Sequence, residues 1–534
     1  MGKNKFALLF LLFIIYSTFL QAQKKHYFVF YLKDKSHNIF TISDSSSLLS
    51  THSLERRIKE NVYFSEEDLP VSKFYIDSLS KLGYQVWLKS KWLNAVVINT
   101  DSNNALKINQ LSFVRDYFPL GKNSKFNNLN SNTKITNTDN YGNSQIQNNM
   151  MDIPSMHTKG FLGHGKRIAV FDGGFQNANN LSVFDSLFKN NQIKFTYNVK
   201  DKNQTSVYIG HPHGTNVLSL IGGYKNGSLI GGAYKADYYL FQTEITENES
   251  KLEEFNWLVA AEMADSLGVD IINSSLGYFD FDNSALNYTF SDFNGKTTLI
   301  SQAANFANAK GILIVNSAGN ERTGYWGKIS SPADSPNVIA VGAVDFNNNI
   351  GSFSSPGPTS DGRIKPDISA PGVNVTIADA SNNYISGSGT SFAAPMICGL
   401  VAGFWSGNPD LKKEEIKQIL LQSGDKNSNP NNDFGNGVPN FARMQKKILG
   451  LYDDKQDTIY AYYLPASEKI LIKSSKNKLK TGYVYGIEGK LWIETQIQNY
   501  DDEIYTSNLA NGIYFVKIID EYNKTLIAKI VINH

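Results

Sequence analysis

The stretch Gly387-Ser388-Gly389-Thr390-Ser391-Phe392-Ala393-Ala394-Pro395-Met396 decides the fold of this chain. Its glycines leave room for another segment of backbone to approach closely. The apolar run after Ser391 extends to Phe404 and predicts a buried helix. A hydroxyl at the start of a helix lies among unpaired backbone N–H groups, which favour developing negative charge. Since a serine in this position is usually only a helix cap, its meaning depends on the sequence upstream.

Upstream of this stretch, one polar motif follows a predicted strand and another opens a predicted helix. The apolar run 167–171 ends in Asp172, and a carboxylate in such a position commonly starts a turn. His213 opens a helical stretch together with Gly214, a residue that lets a neighbouring segment come close. The nearby His211 raises the alternative of a metal site. Neither histidine is followed by Glu, so the helical zinc-protease motif is absent here.

Two further motifs follow apolar runs. Ser274-Ser275-Leu276-Gly277 ends the run that begins at Val269, and Ala318-Gly319-Asn320 follows the run 311–315. An amide side chain at a strand end can donate a hydrogen bond to an oxyanion without adding charge. The alternative is that Asn320 only caps a turn.

The pattern from residue 141 to 450 predicts an α/β fold. Short apolar runs alternate with helical stretches, which is typical of a doubly wound, mostly parallel sheet covered on both faces. In such sheets, functional sites lie beyond the carboxyl ends of the strands. The apolar runs are residues 167–171, 238–241, 269–273, 311–315 and 338–344, and the helical stretches include 215–221, 252–267 and 286–310.

Together, the polar motifs supply an acid, a base, an amide donor and a nucleophile. A neutral serine hydroxyl is a poor nucleophile, so it needs a base within hydrogen-bond reach, and that base needs an orienting carboxylate. The chain order of Asp, His and Ser differs from the orders found in chymotrypsin-like and α/β-hydrolase enzymes. The Gly-x-Ser-x-Gly elbow of the α/β-hydrolases is also absent around Ser391.

These motifs resemble the subtilisin-like serine proteases, or subtilases. The resemblance covers residues 141–450 and rests on Asp172-Gly173, His213-Gly214-Thr215, Ser275-Leu276-Gly277, Ala318-Gly319-Asn320 and Gly389-Thr390-Ser391-Phe392-Ala393-Ala394-Pro395. It implies that Asp172 orients His213, which deprotonates Ser391. It further implies that the Asn320 side chain and the N–H of Ser391 form the oxyanion hole, and that Ser275, Leu276 and Gly277 pair with the substrate backbone.

The function implied is that of a secreted serine endopeptidase that hydrolyses peptide bonds in proteins through an acyl-enzyme. The alternative from another class is a catalytically silent subtilase fold that acts as a surface binding protein. All four chemical positions are filled, which argues against it. A peptide ligase on the same scaffold is a third hypothesis, but a serine nucleophile makes hydrolysis the default. Tyr278, which follows Gly277, is expected to narrow the substrate cleft.

The N-terminal region predicts export and a propeptide. Residues 1–22 carry two lysines, an apolar run and then Ala22, which is typical of a secretory signal peptide. Residues 23–120 predict a small α+β unit that resembles subtilase propeptides, which assist folding and inhibit the site until they are cleaved. Residues 121–140 form an Asn/Ser-rich linker in which cleavage is expected. The mature form is expected to have no membrane span.

The C-terminal region, residues 457–534, predicts a small β-sandwich of short alternating strands. The stretch Leu509-Ala510-Asn511-Gly512-Ile513-Tyr514-Phe515-Val516-Lys517-Ile518 is similar to the C-terminal sorting domains of type IX secretion in Bacteroidetes. Tyr462-Tyr463-Leu464-Pro465-Ala466 departs from the Tyr-Pro-Asn-Pro-like start of those domains. The expected partner is the type IX secretion machinery, and the alternative is an adhesion or substrate-binding module.

Composition limits the other partners and cofactors. The net charge of +2 and the pI of about 8.1 give no reason to expect a nucleic-acid partner. The single cysteine, Cys398, excludes an internal disulfide framework and a multi-cysteine metal site. The resemblance implies protein or peptide substrates, the chain's own propeptide as an inhibitor, and no cofactor for the chemistry. It also implies structural calcium in many members, for which the sequence assigns no ligands.

Overall fold

The structure is a computed structural model. It describes residues 25–121, 140–201, 203–245, 249–453, 459–464, 468–474, 477–497 and 499–532. The predicted signal peptide and nearly all of the predicted linker lie outside these residues. The described residues form an N-terminal unit up to residue 121, a central unit from 140 to 453 and a C-terminal unit from 459 onward.

The N-terminal unit is an antiparallel sheet covered by helices, as the α+β pattern predicts. Its sheet has the order β2-β3-β1-β4. Alternate residues of β1 face opposite sides: Phe28 and Phe30 pack on the helices of the unit, whereas Val29 belongs to a core shared with the central unit. The strands and helices are β1 His26–Leu32, α1 Ser45–Leu48, α2 Thr51–Glu60, α3 Lys73–Lys81, β2 Val86–Ser90, β3 Ala95–Thr100, α4 Ser102–Asn109 and β4 Val114–Gly121.

The central unit is built on a seven-stranded parallel sheet. The strand order is β13-β12-β11-β10-β5-β9-β6. Two short antiparallel pairs, β7 with β8 and β14 with β15, lie outside it. The strands are β5 Arg167–Asp172, β6 Ile193–Asn198, β7 Tyr224–Lys225, β8 Leu229–Ile230, β9 Asp237–Gln242, β10 Ile271–Ser274, β11 Leu313–Ser317, β12 Val338–Val344, β13 Ile368–Pro371, β14 Val375–Ala378 and β15 Tyr384–Gly387.

Helices cover both faces of this sheet, which confirms the doubly wound prediction. Along β5, Ile168 and Val170 belong to the core with the helices His213–Gly222 and Thr390–Ser406, whereas Ala169 and Phe171 belong to the core with the helices Lys251–Leu267 and Leu299–Ala309. Both faces of the strand are therefore buried, as its continuous apolar run predicts. The helices are α5 Gln145–Met150, α6 Ile153–Thr158, α7 Asp185–Lys189, α8 His213–Gly222, α9 Lys251–Leu267, α10 Leu299–Ala309, α11 Thr390–Ser406, α12 Lys413–Gln422 and α13 Phe441–Asp453.

The helical stretch predicted over residues 286–310 is wrong in its first half. Helix α10 begins only at Leu299, and residues 286–298 form turns. Polar side chains hold these turns: Asp292 accepts hydrogen bonds from the N–H and hydroxyl of Thr289, and Asn294 accepts from the N–H of Thr297. Such side-chain-to-backbone bonds compete with helix formation. Short 3₁₀ turns elsewhere are Ile42–Asp44, Glu66–Asp68, Gly142–Ser144, Ala178–Asn180, Ser182–Phe184, Ser284–Leu286 and Phe290–Asp292.

The C-terminal unit consists of two small antiparallel sheets, of order β16-β17-β20 and β19-β18-β21-β22. Ile472 of one sheet and Val516 of the other belong to one core, in agreement with the predicted β-rich unit. The strands are β16 Ile459–Leu464, β17 Lys469–Ser474, β18 Leu479–Gly486, β19 Leu491–Gln496, β20 Asp501–Tyr505, β21 Gly512–Asp520 and β22 Thr525–Ile532.

Candidate active site

The predicted polar motifs meet at one edge of the central sheet. In the parallel register, Phe171 of β5 lies beside Ser274 of β10, and Ser274 lies beside Asn316 of β11. The segments that leave these three strands therefore start side by side at their carboxyl ends. This is the edge at which sites of doubly wound sheets form.

Asp172 and His213 form a hydrogen-bonded pair at this edge. The distances from His213 Nδ1 to the two carboxylate oxygens of Asp172 are 3.0 and 2.9 Å. Because a carboxylate only accepts hydrogen bonds, Nδ1 carries the proton and Nε2 is left as the basic nitrogen. The Asp172 side chain is 1% exposed and that of His213 is 26% exposed. The N–H of Gly173 donates to Asp172 Oδ1 at 2.7 Å and further fixes the carboxylate.

The electrostatic surroundings raise the pKa of His213 above its ordinary value of 6.5. Burial by itself lowers the pKa of this ring, but the negative charge of Asp172, its hydrogen bond and the charge of Glu244 together outweigh burial. The imidazolium form is therefore stabilised. A base of this kind holds a proton more firmly than a free imidazole does.

Gly214 allows helix α8 to approach the loop after β5. A Cβ atom at this residue would lie 2.9 Å from the Cβ of Asp172 and would collide with the carbonyl of Gly174. The N–H of Gly214 donates to that carbonyl at 3.0 Å. Any side chain here would push His213 away from Asp172. The neighbouring His211 accepts a hydrogen bond at Nδ1 from the N–H of His213 at 3.3 Å.

Ser391 occupies the first turn of α11, whose N-cap is Gly389. Its carbonyl accepts a hydrogen bond from Ser275 Oγ at 2.9 Å, and the ring of the next residue, Phe392, lies 5.8 Å from the His213 ring. Ser391 and His213 are both described, and no hydrogen bond joins their side chains in this conformation. In unliganded enzymes such a bond is often long and tightens with substrate.

The Asn320 amide has a defined orientation beside Ser391. Its Oδ1 accepts hydrogen bonds from the N–H and the hydroxyl of Thr390, each at 3.0 Å. Since Oδ1 is held in this way, Nδ2 is left as the donor, and it lies 3.9 Å from where a Cβ on Gly389 would stand. Thr390 is a positioning residue that the sequence interpretation missed, although it precedes Ser391 in the quoted motif.

The segment Ser275-Leu276-Gly277 is held rigidly by its neighbours. The Ser275 hydroxyl donates a hydrogen bond to the backbone carbonyl of Ser391, and the carbonyl of Leu276 accepts one from Asn316 Nδ2 at 2.9 Å. A Cβ on Gly277 would collide with Ser330 Oγ. The pairing of this segment with substrate backbone stays a prediction.

Tyr278 packs inward from this segment. Its ring is 1% exposed, and its hydroxyl donates to Glu244 Oε1 at 2.6 Å. Burial raises the pKa of Glu244 to about 7, against the hydrogen bonds that it accepts from Tyr278 and Thr243. The expected narrowing of the cleft by Tyr278 stays a prediction. Glu244 is a further site residue that the sequence interpretation missed, since a lone Glu after a strand gives no signal.

The remaining candidates for chemistry are metal ligands and a second nucleophile. Among the residues that the structure describes, no group of three or more His, Cys, Asp or Glu side chains is placed to hold a metal ion. Calcium is also bound by backbone and amide oxygens, so the structural calcium that the resemblance implies stays a prediction. Cys398 lies buried within α11, and burial raises the pKa of its thiol, so the thiol stays neutral.

Comparison with protein-family models assigns three regions of the chain. Residues 163–437, more than half of the chain, match the subtilase family. Residues 26–139 match the peptidase S8 propeptide domain of Bacteroidota. Residues 461–533 match a secretion system C-terminal sorting domain. The three resemblances inferred from the sequence are thereby confirmed.

Individual relatives agree with this assignment. A thermostable alkaline protease from Halalkalibacterium halodurans is 32% identical over 288 residues, which are 54% of this chain and 69% of the relative. Subtilisin Savinase from Lederbergia lenta is 28% identical over 291 residues, 54% of this chain and 94% of the relative. The crystal structure of an epidermin leader peptide processing serine protease from Staphylococcus aureus has a TM-score of 0.55 and 17% identity, covering 79% of this chain and 99% of that one. This structural likeness supports the fold.

The chain therefore belongs to the subtilase family. It is a serine endopeptidase of that family, with a propeptide domain before the subtilase domain and a sorting domain after it. The sorting domain implies secretion or attachment to the cell surface. Within the described ranges, every helix is too short or too polar to cross a lipid bilayer.

Proposed function

We propose that this enzyme hydrolyses peptide bonds through an acyl-enzyme intermediate, with Asp172, His213 and Ser391 as its catalytic triad. The observation that carries the proposal is the hydrogen-bonded Asp172–His213 pair, with distances of 2.9 and 3.0 Å, beside the first turn of α11. A neutral imidazole held at Nδ1 by a buried carboxylate is the base that a serine hydroxyl needs.

In the first half of the reaction, Ser391 Oγ attacks the carbonyl carbon of the substrate while His213 Nε2 takes the hydroxyl proton. Asp172 stabilises the imidazolium that forms. The oxyanion accepts hydrogen bonds from Asn320 Nδ2 and the N–H of Ser391. The carbon–nitrogen bond then breaks, and the leaving amine takes the proton from His213. An acyl group remains on Ser391.

In the second half, water replaces the amine. His213 takes a proton from the water, the hydroxide attacks the acyl carbon, and the bond to Ser391 Oγ breaks with return of the proton to Ser391. The products are a carboxylic acid and the free enzyme. Every step uses groups of the chain, the substrate and water alone.

The other parts of the chain fit a secreted precursor. We propose that residues 1–22 direct export, that residues 23–120 inhibit the site until cleavage within 121–140, and that residues 457–534 are engaged by type IX secretion machinery. The contact at the end of β4 supports the docking of this unit on the central unit. A Cβ on Gly121 would lie 3.4 Å from the Ser250 Cβ and 3.5 Å from Leu286 Cδ1, so the chain enters the linker against the central unit.

The proposal is tested by labelling the matured protein with a fluorophosphonate probe, which reacts only with an activated serine. We expect one adduct, which mass spectrometry of the digested protein maps to the peptide that contains Ser391. An adduct on another serine would contradict the triad assignment. Absence of labelling after confirmed removal of residues 23–120 would favour the alternative of a catalytically silent surface binding protein.

Replacing Asn320 with alanine is expected to lower kcat about 10²–10³-fold with little change in KM. The lost amide would donate to the oxyanion, which exists in the transition state and not in the bound substrate. The check is steady-state hydrolysis of a peptide substrate by the wild type, Asn320→Ala and Asn347→Ala, whose residue lies exposed in a turn. A purely higher KM in Asn320→Ala, with kcat intact, would contradict the assigned role.

The pH dependence of kcat/KM is expected to follow the protonation of His213. The ring must be neutral to accept a proton, and its pKa lies above 6.5, so activity should rise with pH to a midpoint above 6.5. Glu244→Gln removes one charge that raises this pKa, while the new amide oxygen can still accept from Tyr278. We expect its midpoint at lower pH than in the wild type.

The measurement is kcat/KM for one peptide substrate from about pH 5 to 10 for the wild type, Glu244→Gln and Glu414→Gln. Glu414 lies exposed on α12 and serves as the matched control. A wild-type midpoint below 6.5, or equal midpoints in all three proteins, would contradict the electrostatic argument.

A further inference from the structure

Two consecutive arginines of the N-terminal unit are buried against the central unit. Arg56 and Arg57 lie on α2, and their side chains are 4% and 2% exposed. Both contact Asp265 on α9, whose side chain is fully buried: Arg56 Nη2 lies 2.6 Å from Oδ1 and Arg57 Nη2 lies 2.7 Å from Oδ2. Arg56 Nη1 also donates to the carbonyl of Val269 at 2.5 Å. We call Arg56 and Arg57 the arginine anchor.

Arg57 connects the two units through its whole guanidinium group. Besides Asp265, it donates to both oxygens of Asp68 in its own unit, at 3.0 and 2.8 Å. Lys310, which follows α10 of the central unit, lies 3.3 Å from Asp68. Burial alone would raise the pKa of Asp68, but the hydrogen bonds and charge of Arg57 hold that pKa well below its usual range. The Asp68 carboxylate that Arg57 binds is therefore ionised.

A second carboxylate of α9 holds another segment of the N-terminal unit. Glu262 lies one turn before Asp265 and accepts three hydrogen bonds from the turn after β2. The donors are the hydroxyl of Ser90 at 2.5 Å, the N–H of Lys91 at 2.9 Å and the N–H of Trp92 at 3.0 Å. Two side chains on one face of α9 thus bind two separate segments of the N-terminal unit.

These contacts lie near the amino ends of the parallel strands, because Val269 comes two residues before β10, whereas the catalytic residues lie beyond the carboxyl ends. Glu262 and Asp265 occupy the last turns of α9, whereas the end of β4 meets Ser250, just before the first turn. At about 1.5 Å per residue, Ser250 and Asp265 are roughly 20 Å apart along this helix. The anchor touches none of Asp172, His213, Asn320 and Ser391. Its contribution to binding is therefore separate from any contact within the substrate cleft.

We propose that Glu262 and Asp265 form an exosite of the enzyme for the N-terminal unit, in which Asp265 recognises the adjacent arginine pair of α2 and Glu262 holds the turn after β2. The exosite sets how long residues 25–121 stay bound after the linker is cut. This rests on the proposed function only in taking that unit as the inhibitor. A lysine cannot replace Arg57 equally, because Arg57 binds two carboxylates with one planar group.

The test uses the full chain with Ser391→Ala, so that self-cleavage is blocked, and with a cleavage sequence for an external protease placed within 122–139. After cutting, the rate at which the N-terminal fragment leaves is measured by gel filtration. We expect the parent complex to stay together and Arg57→Ala to release the fragment on the order of 10²–10³-fold faster, since removing one partner strands a buried charge. Arg57→Lys should be intermediate.

The control is Lys73→Ala, because the Lys73 side chain is 71% exposed. Among the described residues, its one ion pair is with Asp77, which lies on the same helix, α3. It should release the fragment at the parent rate. Asp265→Asn tests the same site from the enzyme side if Arg57→Ala fails to fold. Immediate separation of the parent fragments, or parental rates in the Arg57 and Asp265 variants, would overturn the proposal. Because release is measured without catalysis, the result is independent of the triad assignment.

Discussion

Replacing Ser391 with alanine is expected to lower kcat for peptide hydrolysis by about 10⁶-fold, the size seen for the triad serine of a subtilisin. The alanine removes the oxygen that forms the acyl-enzyme, so the covalent route is closed while substrate binding remains. Residual activity of about 10³–10⁴ over the reaction in water is expected from the oxyanion donors and substrate binding. The measurement is kcat with a fluorogenic peptide at saturating concentration.

Ser388→Ala is the matched control for this variant. Ser388 lies in the same glycine-rich loop and is exposed to solvent. Its hydroxyl accepts a hydrogen bond from the N–H of Asn374 at 2.9 Å. It should keep wild-type activity and wild-type labelling by fluorophosphonate. Equal activity of Ser391→Ala and the wild type would show that another residue is the nucleophile.

The second large effect is expected for Asp172→Asn, which should lower kcat about 10⁴-fold near neutral pH. The buried carboxylate of Asp172 accepts a hydrogen bond from the protonated Nδ1 of His213, which lies 2.9 and 3.0 Å from its two oxygens. An asparagine amide can donate instead, which places the imidazole proton on Nε2 and leaves no base toward Ser391. The shape of the side chain is nearly unchanged, so the loss reports the tautomer and not the packing.

Two measurements separate this explanation from misfolding. Thermal unfolding of Asp172→Asn should remain cooperative, and Asp185→Asn, whose side chain is 57% exposed, should retain full activity. A modest loss in Asp172→Asn, comparable to that of the control, would mean that His213 does not depend on Asp172 for its orientation.

Much of the central unit could be predicted from the sequence because local pattern and global fold agree there. The run 167–171 predicts β5, which is observed as Arg167–Asp172 with both faces buried. The ends of such runs mark the edge of the sheet, so Asp172 and Asn320 could be found without knowing the strand order. Helix α11 follows from the apolar residues after Ser391 in the same way.

The arginine anchor could not be predicted, for a physical reason. Helix α2, Thr51–Glu60, is mostly polar, and its apolar residues do not mark the buried face, since Ile58 is 76% exposed whereas Arg56 and Arg57 are buried. Its arginines are buried because they pair with Asp265. This partner lies 208 residues away from Arg57 along the chain. No local pattern records such a partner. The orientation of the Asn320 amide likewise depends on Thr390, which is 70 residues distant.

The face of the N-terminal sheet that carries Val29 and Val97 belongs to the same hydrophobic core as Phe255 and Ala261 of α9. The chain thus has one continuous interior across the two units. Cutting the linker and losing the N-terminal unit removes part of that interior from the chain that remains. On the proposed maturation, the mature enzyme would be shaped by a segment that it no longer contains, and its unfolding would not be the reverse of its folding.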